Sequence, residues 1–365
     1  MLRVGILILL SFNLVYSPLM ANSNQSLASI LDGISFSGQW FFHYEYSDIS
    51  KEKFNEFKLK RGYQSLHKIF NQSVSVRVTY DVAVDQEGDG IGDIEIRLKS
   101  GYLKYTFSQF WFLTEPFFEF GVVHRPWLDY EQKINRYRVQ GTMFLERNDI
   151  LRSADYGISV ISLIGGKIGE EHQKSVNKNY PGKYGSMAFG VYNGGGYEEI
   201  ERNNNKLLEG RLTLRPFPKF LPGLQLSYLG GYGKGNTEAA PDFYYNAGFI
   251  VFENKYIVVN GTYYDGVGDV FGNAVDSNGN SYYQNGYSVF SEVRLFESPL
   301  RIYGRYDYFN KEIKTNDWIQ NRIITGVSIY FLKSSKLLFD FEYRDWYESG
   351  EPNDKVYKIA LEFTY

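Results

Sequence analysis

The stretch Tyr357-Lys-Ile-Ala-Leu-Glu-Phe-Thr-Tyr365 carries an aromatic or aliphatic residue at every odd position, with Lys358, Ala360, Glu362 and Thr364 between them. A period of two marks a strand whose two faces meet different surroundings. Just upstream, Phe339, Phe341 and Tyr343 alternate with Asp340, Glu342 and Arg344. Near the other end, Ile34, Phe36, Trp40, Phe42, Tyr44 and Tyr46 alternate with mostly polar residues, and Val74, Val76, Val78, Tyr80, Val82 and Val84 repeat the pattern. A soluble β-sandwich would also alternate. Composition separates the two cases. The apolar face is rich in rings (32 Tyr, 28 Phe and 5 Trp in 365 residues), and its segments run about ten residues, as the aromatic girdles and ~9–11-residue strands of transmembrane barrels do. No Pro/Ser-rich linker divides residues 30–365, as a multi-domain sandwich would require.

Alternation and turn signals together mark strands near 34–47, 54–68, 73–85, 94–106, 116–126, 155–166, 184–193, 206–216, 223–234, 242–252, 255–265, 286–297, 299–309, 318–332, 336–347 and 355–365. The number, about sixteen, is even, as in single-chain bacterial barrels. Short joints such as Phe70-Asn-Gln72 and Glu253-Asn-Lys255 alternate with longer polar ones such as Gln86 to Asp93 and Gly266 to Asn285. Short turns belong in the periplasm and long loops outside, so both ends of the barrel domain face the periplasm. One inside connection, Gly165 to Lys183, is long, and its Glu/Lys/Asn composition reads as solvated. At the start of the chain Arg3 precedes the apolar run Val4 to Leu10 and a small-residue region ending at Ala21, which reads as a secretory signal over 1–21 followed by a barrel domain over 22–365. The expectation is an all-β transmembrane antiparallel barrel, exported through the periplasm to the outer membrane and surrounded by its lipid.

With the aromatic face toward lipid, parity assigns the other face to the interior. There it places Arg77, Asp81, Glu95, Arg97, Lys99, Glu209, Arg211, Arg215, Glu292, Arg294, Arg301, Arg305, Asp307, Arg322, Asp340, Glu342, Arg344, Lys358 and Glu362. Charges of both signs in such number do not suit a dry core. Barrels of 16–18 strands leave an aqueous channel. Arginine dominates the positive set, and Arg facing carboxylates would give a field that sorts solutes by charge. The third outside loop, Trp127 to Ala154, is the longest and is dense in charges and rings. Loops of this length without a pattern of their own are usually functional. It is expected to fold inward and narrow the pore, with Arg136, Arg138, Glu146, Arg147, Asp149 and Arg152 as constriction residues.

The segments Phe120-Gly-Val-Val-His-Arg-Pro-Trp127, Phe144-Leu-Glu-Arg147 and Ser153-Ala-Asp-Tyr-Gly157 resemble the strand, third loop and strand of the phosphate-selective porin O and P family. Phe57-Lys-Leu-Lys-Arg-Gly-Tyr63, Leu221-Pro-Gly-Leu-Gln-Leu226 and Gly304-Arg-Tyr-Asp307 look like further strands of that family. The resemblance implies a sixteen-stranded, homotrimeric porin with an infolded third loop. Phosphate specificity in that family rests on an arginine ladder and a lysine cluster, and the sequence places no matching lysine cluster here.

Other functions have less to stand on. The net charge is -3, from 39 Lys+Arg against 42 Asp+Glu, which offers no basic excess for nucleic acid. There is no Cys, and the four His (His43, His67, His124 and His172) show no short metal-ligand spacing, so neither cofactor nor metal is required. A barrel enzyme would need a Ser or Asp activated by His at the rim, and His43 and His124 have no recognisable partner. Phe41, Phe290, Tyr303 and Trp346 share the inward parity and could form a track for oligosaccharides, or else pack against the third loop. An adhesin would need longer outside loops than most of these.

Overall fold

The computed structural model describes residues 32–86, 90–313, 317–332, 334–347 and 353–365; the signal segment expected over 1–21 lies outside them. Sixteen strands alternate along the chain: β1 Ile34–Ile49, β2 Glu52–Ile69, β3 Val74–Val84, β4 Ile94–Thr106, β5 Leu113–His124, β6 Ala154–Ile164, β7 Gly185–Tyr192, β8 Leu207–Leu214, β9 Leu224–Lys234, β10 Asp242–Glu253, β11 Ile257–Val267, β12 Tyr283–Arg294, β13 Leu300–Lys311, β14 Trp318–Tyr330, β15 Lys336–Tyr347 and β16 Asp354–Thr364. Each pairs with its sequence neighbours, and β1 closes on β16 through antiparallel pairs running from Gln39↔Thr364 to Asp48↔Lys355. Closure matters because an open edge in hydrocarbon would leave backbone N–H and C=O groups unpaired.

Alternation decides which way each side chain points. On β9 and β10, Leu226, Tyr228, Tyr232, Tyr244 and Ile250 face outward, while Leu229, Phe243, Tyr245 and Val251 are buried inside. The outward rings form an apolar belt round the wall, and together with the even, closed barrel this places the protein in a bacterial outer membrane. Among the described residues no helix is long and apolar enough to cross a membrane; the strands do the crossing.

Of three register shifts among the described strands, one lies at Thr114/Phe117 on β5 and the other two fall in the same quarter of the barrel. Between β1 and β2 the register passes from Phe41↔Arg61 to Phe42↔Leu59, leaving Lys60 as the extra residue. Between β3 and β4 it passes from Thr79↔Ser100 to Tyr80↔Leu98, leaving Lys99 as the extra one. An inserted residue lets two successive side chains share one face. Lys60 and Arg61 accordingly both reach the interior, and Lys99 and Ser100 are both buried there.

Residues 125–153 connect β5 to β6 and run inside the barrel, as expected of the third loop. They contain two short helices, α1 Leu128–Gln132 and α2 Phe144–Arg147. A third, α3 Glu170–Ser175, lies in the long inside connection between β6 and β7 and is exposed. The expectation that this connection is solvated holds for α3 but not for the residues after it. Asn177 is buried, and Val176 to Pro181 turns into the lumen, because the short polar side chains there find partners on the third loop.

Candidate functional site: the passage beside the third loop

The third loop has an apolar and a polar side, and the barrel receives them differently. Trp127, Leu128, Tyr130, Tyr137, Val139, Met143, Phe144, Leu145, Ile150 and Leu151 are all at most 3% exposed. They pack on the wall from β10 to β14. The Trp127 ring meets Phe249 edge-on at 5.0 Å, Tyr137 stacks on Tyr303 at 4.0 Å and lies 5.7 Å from Phe290, and Phe144 meets Phe309 at 6.2 Å. Phe290 and Tyr303 thus serve as the seat of the loop, the packing role rather than the oligosaccharide track. Gly286 on β12 makes room for this seat: a Cβ there would come within 2.4 Å of the Tyr308 carbonyl oxygen and 2.9 Å of the Phe144 ring. Each buried ring contributes about 1.5–3 kcal/mol, so a handful fixes the loop against the entropy of a long free segment.

Polar pins finish the seat. At the start of the loop Arg125, fully buried, donates two hydrogen bonds to the Glu209 carboxylate at 2.6 and 2.7 Å, and Tyr245 donates a third to the same group. A bidentate pair fixes direction as well as distance. Arg211 donates to the Pro126 carbonyl at 3.0 Å and lies over the rings of Tyr130 and Tyr180 at 4.4 and 4.9 Å. Further along, Arg305 donates to the Thr142 carbonyl at 2.8 Å, Lys60 to that of Val139 at 2.9 Å, and Gln140 to Glu342 at 3.3 Å, while the Tyr137 hydroxyl pairs with Ser328 at 3.0 Å.

The loop leaves space on its other side, against β1 to β6. Three cavities follow one another there. An outer one of about 360 Å³ lies between the loop, β2 and residues 197–198. It adjoins a middle one of about 240 Å³ at Tyr63 and Arg138, which line both. The middle one shares Arg77, His124, Asp129 and Lys133 with an inner chamber of about 560 Å³ near the periplasmic end. The loop touches the wall where the outer and middle cavities meet: Arg138 donates to the Tyr63 hydroxyl at 2.8 Å, and the Lys99 ammonium lies 5.2 Å from the Tyr63 ring. Across the three cavities the basic lining residues are Lys60, Arg61, Arg77, Lys99, Lys104, Arg125, Lys133, Arg138, Arg147, Arg152 and Lys178; the acidic ones are Glu115, Glu119, Asp129, Glu146, Asp149 and Glu198.

Five of the six constriction candidates, Arg138, Glu146, Arg147, Asp149 and Arg152, line the outer cavity together. Arg136 does not join them; it turns toward the periplasmic end and donates to the Val176 carbonyl at 3.2 Å. Burial, and then the Arg322 and Arg305 guanidiniums beside it, lower Arg147 to about 9, leaving it charged at neutral pH. Burial also raises Glu131, on α1 within the loop, to about 7.

The inward residues taken from parity divide by what the loop leaves open. Arg77 lines the middle and inner cavities and Lys99 the middle one. Asp81 is fully buried and holds Arg61 at 3.3 Å and Arg97 at 3.6 Å, and Arg97 also reaches Glu198 at 3.3 Å. The others point inward but engage the wall, the turns or the loop. Arg215 donates to the Gly182 and Pro222 carbonyls, Arg294 pairs with Glu292 at 2.6 Å, and Arg301 donates to the Ser298 carbonyl at 2.6 Å. Arg305 pairs with Asp307 at 2.7 Å, Arg322 with Glu342 at 3.4 Å and Arg344 with Asp354 at 3.3 Å, and Asp340 is buried on β15. Lys99, inward by parity, is joined along the passage by four lysines that parity does not place there: Lys60, the extra residue of the first bulge, Lys104, beyond the second bulge, Lys133, from the C-cap of α1, and Lys178, from the inside connection. The adjacent charges Lys60-Arg61 were the available signal, since one of them would otherwise face lipid.

His43 is buried on β1 and neither ring nitrogen is hydrogen bonded; His124 meets the Tyr102 ring at 5.6 Å. Among the described residues no group of His, Asp and Glu could hold a metal ion.

Solved structures with the same fold include an anion-selective porin from Comamonas acidovorans, with a TM-score of 0.62 at 9% identity over 91% of this chain and 99% of that one. OmpF from Salmonella typhi gives 0.59 at 12% over 90% and 97%. A loop-deletion mutant of OmpT, an outer membrane protein of Vibrio cholerae, gives 0.61 at 15% over 91% and 99%. At these identities the likeness is one of fold. No family model matches the chain, that of the phosphate-selective porins included, and no curated protein matches it in sequence.

Proposed function

We propose that this protein is an outer-membrane porin through which small hydrophilic solutes and ions diffuse passively, with a preference for anions. The observation that carries the reading is the row of connected cavities beside the third loop, where ten basic side chains face six acidic ones once Arg125, paired with Glu209, is set aside. A low-dielectric wall focuses such an excess into a positive potential along the path. The loop sets the size limit where Arg138 meets Tyr63, and Arg77, Lys99 and Lys133 act on charge just inside. Nothing in this mechanism uses a cofactor or a catalytic group. The partners are outer-membrane lipid, the permeating solutes and, following the family resemblance, two further copies in a homotrimer.

A second reading, a channel specific for an anion such as phosphate, is favoured by the gathering of five lysines along the passage. The two differ in one measurement. Liposomes carrying the refolded protein should admit small neutral sugars and inorganic anions alike under the first reading, with anion flux linear in concentration. Flux that saturates at low phosphate, with sugars excluded, would replace it with the second.

A further inference from the structure

We infer that the inside connection between β6 and β7 forms a second constriction, in series with the third loop, at the periplasmic end of the passage, with Lys178 and Tyr180 as the residues a solute meets there. The inference rests on the channel reading and adds an element to it. Residues 165–184 leave the wall with positive φ at Gly165 and Gly166, and the limb from Val176 to Pro181 then turns up into the lumen. At its base the Ile168 amide donates to the Pro181 carbonyl at 2.8 Å and the Lys183 amide to the Gly166 carbonyl at 2.9 Å, closing the limb into a loop. Gly182 allows the return, since a Cβ there would lie 1.7 Å from the Gly185 carbonyl oxygen.

The limb is fastened to the third loop and to the opposite wall. Asn177 donates to the Lys133 carbonyl at 3.1 Å and to the Glu253 carboxylate on β10 at 3.0 and 3.2 Å. The Tyr180 hydroxyl donates to Asp129 at 2.5 Å, and its ring meets Tyr130 edge-on at 5.3 Å. An exposed turn has no use for this many buried partners. The limb leaves Lys178, Asn179, Tyr180 and Pro181 on the inner chamber, opposite Arg77 and Lys104. A solute passing the third loop therefore crosses a second basic gate before the periplasm, one fastened to the third loop through Asp129.

The chain has no Cys, so single thiols report without background. Lys178→Cys, reconstituted in a planar bilayer, is treated from the periplasmic end with a thiosulfonate reagent carrying a sulfonate. Modification is expected to lower single-channel conductance about twofold and to shift the reversal potential toward cations, because a positive charge is replaced by a larger negative group at a narrow place. Lys174→Cys, on exposed α3, should react with no change in current. Tyr180→Phe keeps the ring and loses the bond to Asp129, and should add current noise without changing selectivity. If the thiol of the Lys178→Cys variant is modified, by mass, without any change in current, the second gate is overturned, as it is if the reagent cannot reach that thiol. Absence of conductance in the unmodified protein fails the channel reading itself, a result distinct from either.

Discussion

The two halves of the barrel wall are built from the same alternating pattern and do opposite things. From β10 to β14 the inward face is lined by Phe249, Phe290, Tyr303 and Phe309 and is covered by the apolar side of the third loop. From β1 to β5 the inward face carries Lys60, Arg61, Tyr63, Arg77, Lys99 and Lys104 and borders the three cavities. The loop chooses its side by burying rings where rings wait for it, and what it leaves open is the passage. Inward parity is thus necessary for a residue to act on a solute but not sufficient. Arg211 and Arg77 share that parity, yet one holds the loop from behind and the other lines the path.

The comparison breaks most visibly if the loop is removed. Deleting Asn135 to Asp149 takes away Tyr137 and Phe144, the rings that sit on Phe290, Tyr303 and Phe309, and single-channel conductance should rise about twofold or more, since a barrel of this width is otherwise open water. Unchanged conductance would mean that the loop is no constriction. A finer cut compares the two arginines. Charge removal in Arg77→Gln should lower the anion-to-cation ratio about tenfold, since a unit charge about 6 Å from the path in water-like surroundings changes the energy of each ion by about 0.7 kcal/mol, with opposite sign for anion and cation. Arg211→Gln should leave that ratio alone and instead increase current noise as the loop loosens. Reversal-potential and noise recordings of the two variants, with the outcomes exchanged, would show that the passage runs on the other side of the loop.

The smallest effect concerns pH. Glu131 is 3% exposed, and burial raises it to about 7, opposed by Arg305 and reinforced by Asp307 and Glu146. A carboxyl raised in the folded state favours the packed loop when protonated, so the loop is held best below the ordinary glutamate value of about 4.5 and less well as pH climbs from there to about 7, where the loss levels off. Current noise should therefore increase between about pH 4.5 and 7 in the native protein and stay level in Glu131→Gln. A variant with the same pH dependence as the native protein would move the titration to another group.

The strands were legible because lipid on one side and water on the other impose a rule on every second residue, and β15 carries it from Leu337 to Tyr343. The infolding of the third loop was legible from its length and its content of rings and charges. What sequence did not disclose depends on contacts between distant segments. The extra residue at Lys60, and the shift after Lys99 that turns Lys104 inward, change parity locally, and only the pairing of β1 with β2 and of β3 with β4 shows where. The limb at Val176 to Pro181 looks solvated because Asn177 and Tyr180 are polar; their partners, Lys133, Asp129 and Glu253, lie 44 to 76 positions away. Residues 197–198 reach inward in the same way, Tyr197 bonding Asp81 at 3.0 Å and Glu198 bridging Arg97 and Arg152 at 3.3 and 3.2 Å.

The central claim, a water-filled passage with a net positive lining, is tested most directly by the zero-current potential of the refolded mature protein in a planar bilayer across a salt gradient. An anion-preferring potential that weakens as total salt rises is the result expected of a screened positive wall. A stable, cation-preferring potential would contradict the assignment of the passage to the β1 to β5 side, and with it the roles given to Arg77, Lys99 and Arg138.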